Sequence, residues 1–351
     1  MFSWIGTPYE IGLQHGKQMK NKIPEFFEMG YSGLANYFGI QKIDAIKNKA
    51  VNRFEDLFQN EAPEICDEFR GISEGSGVAY EKILFMNVAE ELGFLLYPSS
   101  CSSNCTCTQL IATGEATVNG RTLIGKNEDG GSWDRGYYMH AVIKPENGKK
   151  FLTLMQPGRV GAYIGLNEDG LCFAQSSANV EGDMGFGWPR LLLFRLMIEK
   201  CSTVQEALDF ISAHNFSSRG INLTLADING NVVLIEKSHS RQSLRYPENG
   251  FLVATNIFVS ENMRPHFKKE TFPIVKDSVL RADRVNELFE KNKGKINCEV
   301  IKTILSDHVN GNNAICNHQA TTSSYIYLPE DKKIMIAEGR PCEKDYEIFT
   351  I

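Results

Sequence analysis

The chain of 351 residues has no long apolar run, few tryptophans and no excess of basic residues. Its net charge of −6 at pH 7 argues against a nucleic-acid-binding protein. The apolar stretches at 83–86 and 92–97 are too short to span a bilayer. The beginning of the chain lacks the basic and apolar regions of a secretory signal, and its end matches no lipidation or peroxisomal motif. We therefore expect a cytoplasmic protein without a membrane or nucleic-acid partner.

The composition that is present, 42% apolar and 23% charged, is typical of a globular protein with a substantial core. Nine cysteines form an odd and mostly widely spaced set, which favours free thiols over a disulfide framework. One group departs from that spacing, because Cys101, Cys105 and Cys107 fall within seven residues.

The pattern of apolar residues changes near residue 98. Before it, helical spacing predicts helices at 23–38, 43–58, from Pro63 onward, and at 81–96. After it, alternating segments and tight turns such as Asn119-Gly120 predict hairpins, interrupted by helices near 189–199, 207–214, 277–290 and 298–305. A final hairpin is expected at 324–337. Short turns between strands predict layered α/β packing with antiparallel sheets.

The cysteine group has three interpretations. Three soft ligands suggest a zinc site, although the sequence offers no second knuckle beyond the pair Cys316 and His318. The same thiols are also compatible with small buried side chains. The third interpretation is a nucleophile, since a thiol next to charged groups and a base readily becomes a thiolate.

The nucleophile interpretation gives Cys107 a specific mechanism. Cleavage of the Thr106–Cys107 bond frees an α-amine with an ordinary pKa of roughly 8, suited to a general base near neutral pH. A β-hairpin then brings Lys126, Asn127 and Asp129 back beside Cys107.

Several motifs in order resemble one family. They are Cys107-Thr108 followed by Gly114-Glu115-Ala116-Thr117-x-Asn119-Gly120-Arg121-Thr122-Leu123-x-Gly125-x-Asn127-x-Asp129, the early Tyr9-Glu10-Ile11-Gly12-x-x-His15-Gly16, and later Ala254-Thr255-Asn256, Asp277-Ser278-x-x-Arg281, Ile315-Cys316-x-His318 and Pro341-Cys342. Together they resemble the acyl-coenzyme A:6-aminopenicillanic acid acyltransferase family of N-terminal-nucleophile hydrolases, which are related to the choloylglycine hydrolases. The resemblance covers nearly the whole chain.

The resemblance implies an α+β fold, a four-layer αββα sandwich of antiparallel sheets with a helical N-terminal segment. It also implies self-cleavage before Cys107, with residues 1–106 kept as a small subunit packed against residues 107–351. The implied reaction is cleavage of a linear amide, or acyl transfer from a thioester or amide to an amine, through a thioester on Cys107. No cofactor or metal is expected, and the expected partner is the small-molecule substrate. The sequence leaves the oligomeric state open.

The resemblance also implies the roles of individual residues. Cys107 is the nucleophile, Asp129 holds its amine, Asn256 stabilises the oxyanion, and Arg281 lies near the nucleophile. Lys126 and Asn127 complete the predicted catalytic set. The predicted substrate contacts are Ser176, Ser177, Tyr163 and Ile257.

Three positions depart from the family pattern. Lys126 replaces a usual glutamine or arginine, Ile257 replaces a usual histidine, and Thr106 precedes the nucleophile where glycine is common. Two alternatives to the enzyme follow. One is a non-catalytic zinc protein built on Cys101, Cys105 and Cys107, and the other is a family member that folds but stays uncleaved and inactive.

Overall fold

The computed structural model describes residues 1–39, 52–96, 106–130, 136–180, 182–217, 220–266 and 272–351. The described α-helices are α1 Pro8–Gln18, α2 Lys22–Phe38, α3 at 52–61, α4 Pro63–Ser76, α5 Tyr80–Leu96, α6 Arg190–Lys200, α7 Val204–Ser212, α8 Phe272–Lys291 and α9 Cys298–Leu305. Among these residues, no helix has both the length and the apolar character needed to cross a membrane. Part of the predicted helix at 43–58 and the break at residues 98–100 lie outside the described residues.

The strands form two sheets. They are β1 Phe2–Gly6, β2 Thr108–Gly114, β3 Gly120–Asp129, β4 Met139–Pro145, β5 Phe151–Met155, β6 Gly165–Asn167, β7 Cys172–Ala178, β8 Gly220–Ala226, β9 Val232–Lys237, β10 Gln242–Arg245, β11 Phe251–Ala254, β12 Thr321–Leu328, β13 Lys333–Ala337 and β14 Glu347–Thr350. One sheet has the order β1-β4-β5-β6-β7-β8-β9-β10 and the other β11-β2-β3-β12-β13-β14. The described pairings are antiparallel, as predicted, except for β1, which runs parallel to β4.

The two sheets lie face to face with helices outside them. On one side, Phe194 of α6 packs against Phe173 of the larger sheet. On the other, Val285 of α8 and Ile301 of α9 share a buried cluster with Leu110 of the smaller sheet. Between the sheets, Gln109 of β2 donates to the Ser176 hydroxyl of β7. This arrangement confirms the predicted four-layer αββα sandwich.

The opening motif of the chain explains how α1 is placed. The Thr7 hydroxyl caps the helix, and the Glu10 carboxylate accepts a hydrogen bond from the Thr7 amide, which closes a capping box. Gly12 faces α4 so closely that a Cβ there would lie 2.1 Å from the Glu68 carbonyl oxygen. His15 is fully buried and accepts a hydrogen bond from the Gly158 amide. Burial lowers the His15 pKa to about 3, so the ring is neutral and suited to accepting that bond.

Buried ion pairs join the N-terminal helices to α6. Arg195 contacts Glu68 of α4 at 3.5 Å, and Arg190 contacts Glu91 of α5 at 3.1 Å. All four side chains are nearly inaccessible to solvent. The segment before residue 107 therefore contributes charged partners to the interior of the molecule.

The β2–β3 hairpin positions the predicted catalytic residues. Gly120, at φ +76°, begins β3 in the left-handed region that glycine tolerates. Thr108 pairs with Asn127 and Gln109 with Lys126, so Cys107 comes opposite Glu128. The hairpin was predicted from the sequence, and its register brings the thiol to the far end of β3.

Candidate active site

The Cys107 thiol lies at the entrance to β2, opposite the end of β3. Only 2% of the residue is exposed. Its Sγ lies 3.5 Å from Glu128 Oε1, to which the thiol donates, and it accepts from the Asp129 amide at 3.5 Å. A carboxylate that can take the thiol proton and an N–H that favours the thiolate therefore face the same sulfur.

Glu128 is the neighbour of the thiol that the sequence prediction missed. Its second oxygen forms a buried ion pair with Lys126, which is completely inaccessible to solvent. Successive side chains on a strand point to opposite faces, so Lys126 and Glu128 share the thiol face whereas Asn127 does not. Strand alternation applied to residues 126–129 is the signal that identifies Glu128.

The Asp129 carboxyl group is buried next to the peptide bond that is predicted to break. Its Oδ2 accepts from the Thr106 hydroxyl at 2.9 Å, while its Oδ1 is buried without a hydrogen bond of normal geometry. Burial raises the Asp129 pKa to about 7, against the opposing effects of Arg281 and of the Thr321 and Thr106 hydroxyls. Asp129 thus has one oxygen available for a further donor.

Arg281 of α8 links the nucleophile to the predicted oxyanion residue. This fully buried guanidinium donates from Nη1 to the Cys107 carbonyl at 2.6 Å and to the Thr108 hydroxyl at 2.8 Å. Nη2 donates to Asn256 Oδ1 at 3.0 Å and pairs with Asp277 at 2.8 Å. The planar group with its several donors fixes these positions relative to one another.

Asn256 follows β11 and reaches β7 of the other sheet. Its Nδ2 donates to the Ser177 carbonyl at 2.9 Å. An amide nitrogen carries two hydrogens, so one donor bond remains for another acceptor. Asn256 is therefore oriented by Arg281 and Ser177 while it keeps the capacity to donate.

Other predicted site residues make contacts away from the thiol. Asn127 donates to the Leu305 and Ile315 carbonyls at 2.9 and 2.8 Å. Ser176 is fully buried and donates to the Thr255 carbonyl. The Ile257 carbonyl accepts from the Asn222 side chain at 3.1 Å. The catalytic and substrate-binding roles of these residues stay predictions.

Tyr163 lies near an apolar cavity. Its hydroxyl accepts from Arg159 at 3.2 Å, and Arg159 lines a cavity of about 370 Å³ between α2 and α5. Most of the lining is apolar, with Phe26, Phe27, Met29, Leu34, Phe85 and Met86 among its members.

The predicted cysteine zinc site is described only in part. Cys101 and Cys105 lie outside the described residues. The Cys107 thiol is in contact with Glu128 and with the backbone of Asp129.

Comparison with known proteins identifies related sequences. A family model described as acyl-coenzyme A:6-aminopenicillanic acid acyl-transferase matches residues 116–343, more than half of the chain. The match includes Asp129, Asn256 and Arg281 and begins after Cys107. A protein of Archaeoglobus fulgidus named only as uncharacterized is 22% identical over 390 residues, covering 95% of this chain and 60% of that protein.

Two further similar proteins are named for their activities. The 40 kDa form of acyl-coenzyme A:6-aminopenicillanic-acid-acyltransferase from Emericella nidulans is 23% identical over 197 residues, covering 56% of this chain and 52% of that protein. The chain thus spans between half and two thirds of the length of the Archaeoglobus and Emericella relatives. A solved Caenorhabditis elegans ortholog of N-acylethanolamine-hydrolyzing acid amidase has 19% identity and a TM-score of 0.48, covering 64% of this chain and 93% of that one.

Proposed function

The chain belongs to the acyl-coenzyme A:6-aminopenicillanic acid acyltransferase family, and from this premise we propose that it is an N-terminal-nucleophile amidohydrolase or acyltransferase that uses Cys107. The observation that carries the proposal is the position of the Cys107 thiol, between Glu128 and the Asp129 amide. Arg281 supports it by holding the Cys107 carbonyl and Asn256 in one network.

The first proposed step is cleavage of the chain itself. Glu128 takes the thiol proton, and the thiolate attacks the Thr106 carbonyl carbon. The Thr106–Cys107 C–N bond breaks as its nitrogen is protonated, which leaves Thr106 as a thioester on Cys107. Water hydrolyses that thioester, giving a Thr106 carboxylate, the free Cys107 thiol and its free α-amine. The hydrogen bond from the Thr106 hydroxyl to Asp129 supports this step by restraining the residue before the cut.

The second proposed step is turnover of the substrate. The new α-amine takes the thiol proton, and Asp129 Oδ1, which lacks a hydrogen bond of normal geometry, accepts a hydrogen bond from that amine in this proposal. The thiolate attacks a substrate amide or thioester carbonyl, and the remaining Asn256 N–H stabilises the oxyanion. Such a donor typically lowers the barrier by about 3 kcal/mol. The leaving amine or thiol takes the proton, and water or an acceptor amine then releases the acyl group from Cys107.

Cleavage is tested with Cys107→Ala, using Cys298→Ser as the control that loses a cysteine elsewhere. The wild type and the control should give two bands on a denaturing gel, with Cys107 as a new N-terminus. The Cys107→Ala protein should remain one band and show no turnover. Full turnover by Cys107→Ala would overturn the proposal. An intact, inactive wild type with Met1 as its sole N-terminus would instead support the uncleaved family member.

The role of Glu128 is tested with Glu128→Gln. Glutamine keeps the size of the side chain but is not a base, so chain cleavage should slow by about 10²-fold or more. Once cleavage is complete, turnover should fall less, because the α-amine is then the base. Glu330→Gln is the matched control, since Glu330 accepts a backbone hydrogen bond at the other end of β3. Equal cleavage rates in the two variants would exclude Glu128 as the proton acceptor.

The acyl group and the amine that the protein accepts as substrates can be identified by a substrate screen. Purified cleaved protein should be offered N-acyl amino acids, β-alanyl amines, penicillins and acyl-coenzyme A thioesters, each with and without an acceptor amine. Release of free acid indicates hydrolysis, and a new amide indicates transfer. Each activity should disappear in Cys107→Ala.

A further inference from the structure

A second group of reactive side chains lies near the start of β12. His308 follows α9, Cys316 and His318 precede β12, and Cys342 follows β13. One ligand atom from each residue, an imidazole nitrogen or a thiol sulfur, lies within 4.8 Å of the other three. The fold thus assembles two thiols and two imidazoles from separate segments at one point.

Three of the six separations between the ligand atoms lie within about 0.4 Å of the edges of a metal-centred tetrahedron, and all six are 4.8 Å or less. The Nε2 atoms of His308 and His318 are 2.9 Å apart, Cys342 Sγ is 3.3 Å from His318 Nε2, and the two Sγ atoms are 3.6 Å apart. With Zn–N near 2.0 Å and Zn–S near 2.3 Å, tetrahedral geometry gives about 3.3 Å between nitrogens and about 3.8 Å between sulfurs. A disulfide would need the sulfurs at roughly 2.05 Å.

The surroundings resemble those of a ligand set. The Nδ1 atom of His318, on the far side of the ring from the cluster, lies 4.0 Å from Glu343, which Arg340 holds at 3.0 Å. A carboxylate behind a histidine commonly orients that ring towards a metal. Cys316 is buried while the other three residues are exposed, so an ion can enter from solvent.

We propose that His308, Cys316, His318 and Cys342 bind one Zn²⁺ as a closed structural site. Two thiolates and two imidazoles favour zinc over magnesium or calcium. Four protein ligands leave no open coordination position, so the ion holds segments together and takes no part in the chemistry at Cys107.

The proposed zinc site would stabilise residues 308–320, the segment between α9 and β12 that lies beside the candidate active site. The Ile315 carbonyl, next to Cys316, accepts from Asn127 at 2.8 Å, and the Ala320 carbonyl accepts from the Gly130 amide at 3.0 Å. The first bond reaches β3 two residues before Asp129, and the second reaches the residue that follows it. The ion would thus tie residues 308–318 and Cys342 to one another where the loop meets this strand.

Metal content tests the proposal without any measurement of turnover. The full-length protein, purified in a thiol reductant without chelator and dialysed, should contain one zinc per chain by mass spectrometry of the metal. Cobalt exchanged into the site should show thiolate-to-metal charge-transfer absorption. Removal of zinc by a chelator should lower the melting temperature, and added zinc should restore it.

Variants locate the ion. His318→Ala and Cys342→Ser should lose zinc and the cobalt absorption, whereas the controls His266→Ala and Cys298→Ser should keep both. The double variant Cys101→Ser/Cys105→Ser should also keep zinc, which separates this site from the cysteine group before Cys107. If a ligand variant fails to fold, the chelator titration of the wild type still decides the question.

Three results would overturn the site. They are a wild-type chain that takes up no zinc from micromolar solution, a disulfide joining Cys316 and Cys342 in the reduced preparation, and full zinc content in Cys316→Ser/Cys342→Ser.

Discussion

At the scale of the residue, Asp129 carries an energetic cost of burial that its proposed catalytic role would relieve. Its carboxyl group is buried at the end of β3, and Oδ1 has no hydrogen bond of normal geometry. Burying a carboxylate disfavours its charged form, which is why its pKa rises from 3.8 to about 7. A positively charged amine beside Oδ1 would lower the Asp129 pKa again. The energetic cost of burying the charged carboxylate is therefore present only in the uncleaved chain.

The stability of the uncleaved chain should therefore depend on the charge of Asp129. Between about pH 4 and pH 7 the folded state binds the extra proton, so the free energy of unfolding falls as pH rises through this window and levels off above it. The largest contribution expected from this rise in pKa is about 4 kcal/mol. Urea unfolding of Cys107→Ala, with and without Asp129→Asn, measures it. In the Asp129→Asn variant the free energy of unfolding should no longer fall over this pH window. Parallel plots of unfolding free energy against pH for the two proteins would contradict the prediction.

The sequence predicted the position of the thiol better than its surroundings. The Asn119-Gly120 turn brought Cys107 to the end of β3, and Asp129, Asn256 and Arg281 lie around it. It missed Glu128, because the prediction grouped residues 126, 127 and 129 by nearness in sequence although neighbours on a strand face opposite ways. The sequence showed Cys316 and His318 as a close pair, but it did not connect them with His308 and Cys342, because these come from separate segments that only the fold joins.

At the scale of the element, the contact between α1 and α4 depends on glycine. A Cβ on Gly71 would lie 2.0 Å from the Tyr9 carbonyl oxygen, as close as the one on Gly12 would be to Glu68. The obstructing atoms are backbone, so a side chain there cannot be accommodated by rotating a neighbour. These glycines set the distance between the helices.

Gly12→Ala should therefore destabilise the protein by about 1–3 kcal/mol or more, because α1 and α4 must separate. Gly30→Ala in α2 is the control, since a Cβ there meets nothing within 4 Å. Alanine is the better helix former by about 1 kcal/mol, so the control should be neutral or stabilising. Urea unfolding compares the two. A Gly12→Ala protein as stable as wild type would show that the helices can move apart at no cost.

Element prediction succeeded where turns and periodicity were strong. The predicted helices at 23–38 and 81–96 correspond to α2 and α5, and the predicted final hairpin corresponds to β12 and β13. The short strands β1, β10 and β14 were not predicted. Each lies at the edge of its sheet. Such a strand is formed by tertiary contacts, so its sequence need not show the alternation of apolar and polar residues on which the prediction depended.

At the scale of the whole molecule, the segment before residue 107 is held to the remainder by buried charge. Arg195→Met would leave Glu68 buried without that partner, which typically costs about 3–5 kcal/mol. Lys200→Met is the control, because Lys200 and Glu64 form a more exposed pair that should contribute less than about 1 kcal/mol. Urea unfolding of both variants in the Cys107→Ala background tests this. Equal losses would show that burial of the pair is unimportant.

The buried contacts between the two segments also determine whether the protein can be recovered from denaturant after the proposed cut. Before the proposed cut, α4, α5 and α6 belong to one chain, and their association is a unimolecular event independent of dilution. After the cut, the same association joins two molecules, so recovery from denaturant becomes second order and fails when the protein is dilute. A protein that cleaves itself only after folding therefore folds once as a single chain. If heat or denaturant later separates its two pieces, they do not readily return to the native structure.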